Sequence, residues 1–527
     1  MSETIAVATF TPEPLVRLEN YFQQPYNLAI ATARTCYSSQ VISTEDVGRD
    51  EKTRAQRDRI AESIYRAGHH TTIQHPTFQF VLEKVSRQFI WSFLHAHPFY
   101  NSEQVSQRYV EVKAENFTIP PLNEPARTIY VKTVHCQMEA YHKLSELIEP
   151  TVAREYQRLF PLRDLSDKRW KSAVKKRCQE VARYCLPVAT HAHLYHTISG
   201  ITLHRYWRLC QQFDTPLEQR LVIQKMVDEV SKIDPQFMAL AGDPIPLEET
   251  LEYRVFNEFH QPMTNGAGKA FLDEFDRALD GYTSKLVDYK VHSQETMAQA
   301  VRSVLGLSKD QLSDERAIQL VLDPASNPYL SDSLTLTTMS KLTRTTVHPH
   351  FTFKKKLSHT ADSQDQRHRM VPGSRPILAS HFISHRPDYI VPALIKATPL
   401  ANEYYQETMI EIWEAIDQLL NLGTPVEFAL YLLPNAFPIR FEESGDLLHF
   451  HHKWVQRLCY TAQEEIWNTC REEVLQVKER FPLIGGYIQA PCWPRAQASV
   501  RPYCPEGDRF CGVAVWKIPV EQYQRLI

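Results

Sequence analysis

The sequence predicts a mixed helix-and-strand chain (α/β, α+β) built from two similar domains, on three observations. Short segments alternate in the manner of a strand, as Phe78, Phe80 and Leu82 do with Thr77, Gln79 and Val81. Longer ones carry apolar residues at helical spacing, as Ile129, Val134, Met138, Tyr141, Leu144 and Ile148 do after Pro125. Phrases of the first half return, in order, in the second. A chain of 527 residues exceeds one ordinary core.

The elements follow in order. Tyr26–Tyr37 reads as a helix, and Ile60, Ile64 and Ala67 give a second helical face closed by Gly68. His69–His75 is polar and turn-like ahead of the Phe78 strand. Ser86–His95 reads as a helix and leads into a loop that ends in Ser106-Gln-Arg-Tyr109. Further helices fit around Ala182 to Leu186 and from Leu217 to Ile233. In the second half Phe351-Thr-Phe353 begins a strand. Asn402–Leu422 is a helix with Tyr405, Met409, Ile412, Ile416 and Leu419 inward and Gly423 as its stop.

The repeats pair His75-Pro-Thr-Phe-Gln-Phe80 with His348-Pro-His-Phe-Thr-Phe353, and Ala182-Arg-Tyr-Cys-Leu-Pro187 with Ala429-Leu-Tyr-Leu-Leu-Pro434. Arg208-Leu-Cys210 returns as Arg457-Leu-Cys459, and Arg367 follows Ser358 by nine positions, as His95 follows Ser86. The reading is a diverged tandem duplication: a first domain at 1–245, a linker at 246–290, a degenerate second domain at 291–480, and a cysteine-containing extension at 481–527. Asn265-Gly-Ala-Gly-Lys269 lacks the first glycine and the Ser/Thr of a phosphate loop, so it is taken as a linker turn.

Composition narrows the function. Charged residues make up 23% and hydrophobic ones 43%, with a net charge of -3, which argues against a general nucleic-acid or membrane surface. The opening Met1-Ser-Glu-Thr-Ile-Ala-Val lacks a signal-peptide pattern, and no apolar run is long enough to span a bilayer. Ten cysteines in so long a chain are no disulfide scaffold, and the expected setting is a reducing cytoplasm.

Three stretches carry candidate chemistry. Arg367-His368-Arg369 packs three polar or cationic groups together and is either a solvated basic turn or part of a binding pocket. His69, His70, Thr71, Gln74 and His75 offer hydrogen bonds to a ligand or to the fold; the carboxylate and cysteine spacing of a metal site is missing. Ser106-Gln107-Arg108-Tyr109 combines a hydroxyl, an amide, a guanidinium and a phenol, suited to a phosphate or to a surface ion pair. In the tail Cys492, Cys504 and Cys511, with Cys470 or a histidine as a fourth, are either zinc ligands or buried free thiols.

The ordered set Ala31-Thr-Ala-Arg-Thr-Cys-Tyr37, Gly68-His-His-Thr-Thr-Ile-Gln-His75, Phe78-Gln-Phe80, Ser86-Arg87, Ser106-Gln-Arg-Tyr-Val110 and Ala182-Arg-Tyr-Cys-Leu-Pro187 resembles the flavin-dependent thymidylate synthase family. The resemblance spans roughly residues 25–235 and, more weakly, 340–470. It implies a long-stranded sheet flanked by helices, with FAD as cofactor. It also implies a deoxyuridine monophosphate substrate, with methylenetetrahydrofolate and NADPH as co-substrates. Carried over position by position, it puts His69, Thr71 and Gln74 by the flavin, Gln74 standing where the family has a glutamate. Ser106, Gln107 and Arg108 would hold the nucleotide, with Arg183, Arg208 and Arg457 as further nucleotide arginines. Arg367, His368 and Arg369 match the family's signature triplet at the flavin phosphates, and Arg369, Ser106 and Arg183 are the residues expected at the chemistry.

The departures are complementary. The first half reads His95-Ala96-His97 where the triplet belongs; the second keeps the triplet but has Leu430 for Arg183 and a shorter Met370-Val-Pro-Gly-Ser-Arg375 loop. A site shared between the halves, in a homodimer that mimics a tetramer, is therefore expected. The alternatives are a flavin- or nucleotide-binding protein without thymidylate synthase activity, or another pyrimidine-nucleotide-modifying flavoenzyme.

Overall fold

The computed structural model describes residues 9–95, 99–211, 214–259, 265–525 and 527, and in them the repeated phrases become a repeated topology. Strands β1 (Leu15–Tyr21), β2 (Thr77–Ser86), β3 (Tyr100–Gln104) and β4 (His191–Ser199) form one sheet in the order β1-β2-β4-β3. Strands β5 (Ser284–Tyr289), β6 (His350–Ser358), β7 (Gly373–Ser374) and β8 (Pro438–Asp446) repeat it as β5-β6-β8-β7. All neighbouring strands are antiparallel. The register matches as well: Phe80 lies opposite His196, and its repeat partner Phe353 lies opposite Glu443. β2 has ten residues to the nine of β6, and the surplus is absorbed in a bulge where Lys84 takes a φ of 56°.

The compact units cut across the contiguous halves. One comprises 1–136, 187–264 and 414–433; the other comprises 137–186, 265–413 and 434–527. Each unit thus includes a segment from the opposite half of the sequence. In the first, Phe78, Phe80 and Leu82 pack with Phe89, Phe93, Val222, Met226 and Phe237. In the second, Phe351 and Phe353 pack with Phe450, Trp454, Trp467 and Val474, and the extension adds Ile484, Ile488, Val515, Val520 and Tyr523. Each such side chain contributes about 1.5–3 kcal/mol when fully buried. The extension closes the second core rather than standing apart.

Several expectations need correction. The supposed linker holds the helix Leu251–Phe259, the helix Asn265–Leu279 and β5. Asn265-Gly-Ala-Gly-Lys269 opens a helix instead of making a turn, because Leu272, Phe275 and Leu279 bury one helical face. Packing of that face outweighs about 1 kcal/mol per glycine. The loop before Ser106 contains β3, whose Tyr-Asn-Ser-Glu-Gln sequence shows no apolar alternation and is recruited by pairing with β4. Around Ala182 a long helix, Lys168–Ala182, ends, and Arg183–Cys185 is a 3-10 turn mirrored by Leu430–Leu432. No helix among the described residues is long and apolar enough to cross a membrane.

Candidate functional site

A buried carboxylate fixes the end of the second strand in each sheet. Ser86 closes β2, and its amide and hydroxyl donate to Glu218 at 2.8 and 2.6 Å; the Tyr431 hydroxyl donates to the same carboxylate at 2.6 Å. Ser86 Oγ also accepts from the Phe89 amide at 2.9 Å, starting the helix Arg87–His95. The second unit repeats the device: the Ser358 amide and hydroxyl and the Tyr184 hydroxyl donate to Glu465 at 2.6, 2.5 and 2.5 Å. Ser358 Oγ caps Ala361 ahead of the helix His359–Asp365. Burial pushes both carboxyls up, and their hydrogen bonds pull them back. Sequence reading noticed Ser86 and Ser358 but missed Glu218 and Glu465, which sit at matching places in the two halves. Only side-by-side alignment of the copies would have found them.

Those capped helices lead to the signature positions. In the first unit His95 is half-buried against the Trp91 ring, with centroids 5.1 Å apart, while Ala96 and His97 lie outside the described residues. In the second unit Arg367 is exposed and His368 and Arg369 are half-buried. Arg457 Nε donates to His368 Nε2 at 2.9 Å, and Arg457 Nη2 donates to the Gln364 carbonyl at 2.8 Å. An imidazole nitrogen that accepts from a guanidinium must carry a lone pair. Burial, Arg457 and Lys453 accordingly hold the His368 pKa well below the usual imidazole range. Arg457 thus braces the triplet within the second unit.

The other expected residues divide between the units. Ser106 forms a turn that accepts from Arg108 N through Oγ at 3.2 Å and from Val110 N through its carbonyl at 3.0 Å, with the Arg108 guanidinium 5.4 Å from the Tyr109 ring. Gln107 is buried, and Ser106 and Arg108 are half-buried. His69, Thr71 and Gln74 are exposed at and around the 3-10 turn His70–Gln74 of the same unit. Arg208 ends its helix and donates to the Asp243 carbonyl. Arg183 belongs to the second unit, is 3% exposed, and donates through Nε to the Glu180 carbonyl at 3.1 Å. Arg183 and Arg457 are thus brought into the unit of the triplet; Ser106, Gln107 and Arg108 are not. A dinucleotide needs hydrogen-bond donors at an accessible surface, and the exposed His69, Thr71 and Gln74 of the first unit offer them there.

In the second unit Arg375 directly follows β7, in the register place that Gln104 holds in β3. Arg375 pairs with Asp362 at 2.8 Å and lies 4.1 Å from the Phe441 ring, so its charge is answered inside the fold. Beside it Lys355 contacts Asp365, Glu443 and Glu473 at 3.1, 2.9 and 2.9 Å, and Lys453 contacts Asp365 and Glu443 at 2.7 and 2.5 Å. Lys355 occupies the strand position where the Phe351, Phe353, Leu357 pattern calls for an apolar residue. Cys470, offered as a zinc ligand, is buried next to this network, where Glu473 and Lys453 act on its thiol. It is not with the tail cysteines. Among the described residues no three histidine, cysteine or acidic side chains are placed to hold a single metal ion.

Glu427 adds a pH-sensitive element to the first unit. Its Oε1 accepts from the Leu217 amide at 3.0 Å, at the start of the helix Pro216–Ile233, and burial pushes its pKa from 4.5 up to about 8. With the folded value raised, the folded chain binds more protons than the unfolded one between these limits, so stability falls as pH rises through that window. Replacing Glu427 by glutamine is expected to flatten this slope, which is at most about 1.4 kcal/mol per pH unit. Urea unfolding at a series of pH values checks it.

Comparison with known proteins joins these features. Residues 17–236 and 285–483 match the family described as thymidylate synthase complementing protein. The chain belongs to this family, whose curated relatives are named flavin-dependent thymidylate synthases. The Clostridium tetani enzyme is 25% identical over 230 residues, covering 43% of this chain and 86% of its own. The enzyme of Nitratidesulfovibrio vulgaris is 26% identical over 237 residues, 44% of this chain and 87% of its own. A solved UMP/dUMP methylase, PolB from Streptomyces cacaoi bound with 5-Br dUMP, is 18% identical over 43% of this chain and 94% of its own, with a TM-score of 0.31. The family match falls in two segments, and the second begins at β5, inside the segment read as a linker.

Proposed function

We propose that this family member is a flavin-dependent enzyme of the thymidylate synthase type, methylating dUMP to dTMP with methylenetetrahydrofolate as carbon donor and NADPH as reductant. The observation that carries the reading is the family match over both segments. The complementary retention of Ser106-Gln107-Arg108 in one half and Arg367-His368-Arg369 in the other supports it. We take the chain as a tandem duplication of the family domain, with copies at 1–245 and 291–480 and residues of both needed for activity. Bound FAD supplies the hydride chemistry. The chain's own residues bind and orient: Arg108 takes the nucleotide phosphate with Ser106 and Gln107 beside it, and His69, Thr71, Gln74, Arg367 and Arg369 hold the flavin. Arg183 supplies fixed positive charge against the anion that develops on the pyrimidine ring.

Titration calorimetry with dUMP and flavin tests the assignment. Arg108→Gln should weaken dUMP binding about 10–100-fold, the loss of one charge-assisted contact. Arg369→Gln should lower flavin retention instead. Unchanged binding of both ligands in both variants would sink the reading. The departures from the signature, His95 in the triplet's place in the first half and Leu430 in the place of Arg183 in the second, favour a second reading, in which the chain binds flavin and nucleotide without turnover. Binding of both ligands with no dTMP formed, and no rescue of a thymidine-requiring bacterium, selects it.

A further inference from the structure

Four cysteines converge in the second unit from places far apart in sequence. Cys459 follows the helix Leu447–Arg457, while Cys492, Cys504 and Cys511 come from the extension. All four line one cavity of about 230 Å³, several times the ~30 Å³ share of one water. Its other walls include Phe510, Val515, Trp516 and Arg495. No disulfide joins them. Cys492 is buried, and Cys459, Cys504 and Cys511 are half-buried.

Zinc and a cubane differ in how far apart they hold their sulfur ligands. One tetrahedral zinc, with bonds of about 2.3 Å, draws its four sulfurs to within roughly 4 Å of one another. No three ligands among the described residues are so placed. A cubane puts each thiolate on a different iron, so its ligands stand further apart around a central void. Four cysteines that line one cavity, with room in it for more than one ion, suit that second arrangement.

We propose that Cys459, Cys492, Cys504 and Cys511 hold a four-iron, four-sulfur cluster that seats the extension on the second unit. Its site lies two residues from Arg457, so the cluster also fixes the helix end that braces His368. Ligation removes the penalty of burying thiolates, since metal-bound thiols lose their protons. Arg495, donating to the Pro502 carbonyl at 2.9 Å, supplies positive charge beside an anionic cluster.

The test uses the full chain purified without oxygen, with iron, zinc and acid-labile sulfide measured per chain. About four irons and four sulfides are expected, and neither quantity reads flavin or nucleotide, so the result stands apart from the proposed activity. Cys504→Ser and Cys511→Ser should each lose most of the iron and sulfide, whereas Cys36→Ser, at an exposed site, should keep both. Because a misfolded variant also loses metal, the wild-type content decides by itself. One zinc per chain, or no iron and sulfide after anaerobic reconstitution with ferrous iron and sulfide, overturns the proposal.

Discussion

Replacing Lys355 by methionine is expected to destabilise the second unit by about 3–5 kcal/mol, the penalty for removing one partner from a buried ion network. The substitution leaves Asp365, Glu443 and Glu473, all fully buried or nearly so, with Lys453 as the remaining lysine among them. Burial pulls the Lys355 pKa down, but the three carboxylates outweigh it and hold it well above the usual ammonium value. Burial likewise opposes the charge on Asp365, yet Lys355, Lys453 and Arg375 hold its pKa well below the usual carboxylate value. The two signs bound a pH window. The Lys355 contribution is complete below the ordinary lysine value and is lost as pH climbs through the raised one. The Asp365 contribution is present above the ordinary aspartate value and is lost as pH falls through the depressed one. Urea unfolding near neutral pH measures the loss, and a shift under 1 kcal/mol would contradict it.

The first unit supplies the control. At the positions of Lys355, Asp365, Glu443, Lys453 and Glu473 it carries Leu82, Phe93, His196, Tyr206 and Met226: the same register opposite Leu194 or Phe441, the same distance past Ser86 or Ser358, the same turn of the following helices. There Phe93 lies 4.6 Å from the Tyr206 ring and 5.1 Å from His196. Transplanting all five first-unit residues together should be neutral or stabilising by 1–4 kcal/mol, as hydrophobic replacement of whole buried ion groups often is, roughly. The first unit builds the same topology without the network, so the fold does not demand it.

That contrast explains what could be read beforehand. Phe78, Phe80, Phe351 and Phe353 announced their strands because one buried face selects apolar residues at alternate positions. Lys355 breaks the same alternation, and nothing local reveals that its partners lie far along the chain. β3 stayed hidden because pairing with β4, not propensity, makes it a strand. Arg457 was legible as an arginine of interest but not as the brace of His368, since direction of a side chain depends on tertiary neighbours. Asn265-Gly-Ala-Gly-Lys269 misled because two glycines weigh more in a local reading than the buried face at Leu272, Phe275 and Leu279.

Replacing Glu465 by alanine should cost about 3 kcal/mol or more, since it orphans the Ser358 amide, the Ser358 hydroxyl and the Tyr184 hydroxyl at once. Tyr184→Phe removes one of those bonds and should cost about 1 kcal/mol, so the double variant should be less destabilised than the sum of the singles. The effect should also be local. Ser358 caps the helix His359–Asp365, whose end carries Arg367, His368 and Arg369. Loss of the carboxylate lets that helix fray, and hydrogen exchange should rise across residues 359–369 before the β6 core opens. The device is present in both units while the residues around it differ, which fits a role in aiming the segment beyond the helix. Exchange that rises evenly through the second unit would refute this and leave Glu465 with a purely global role.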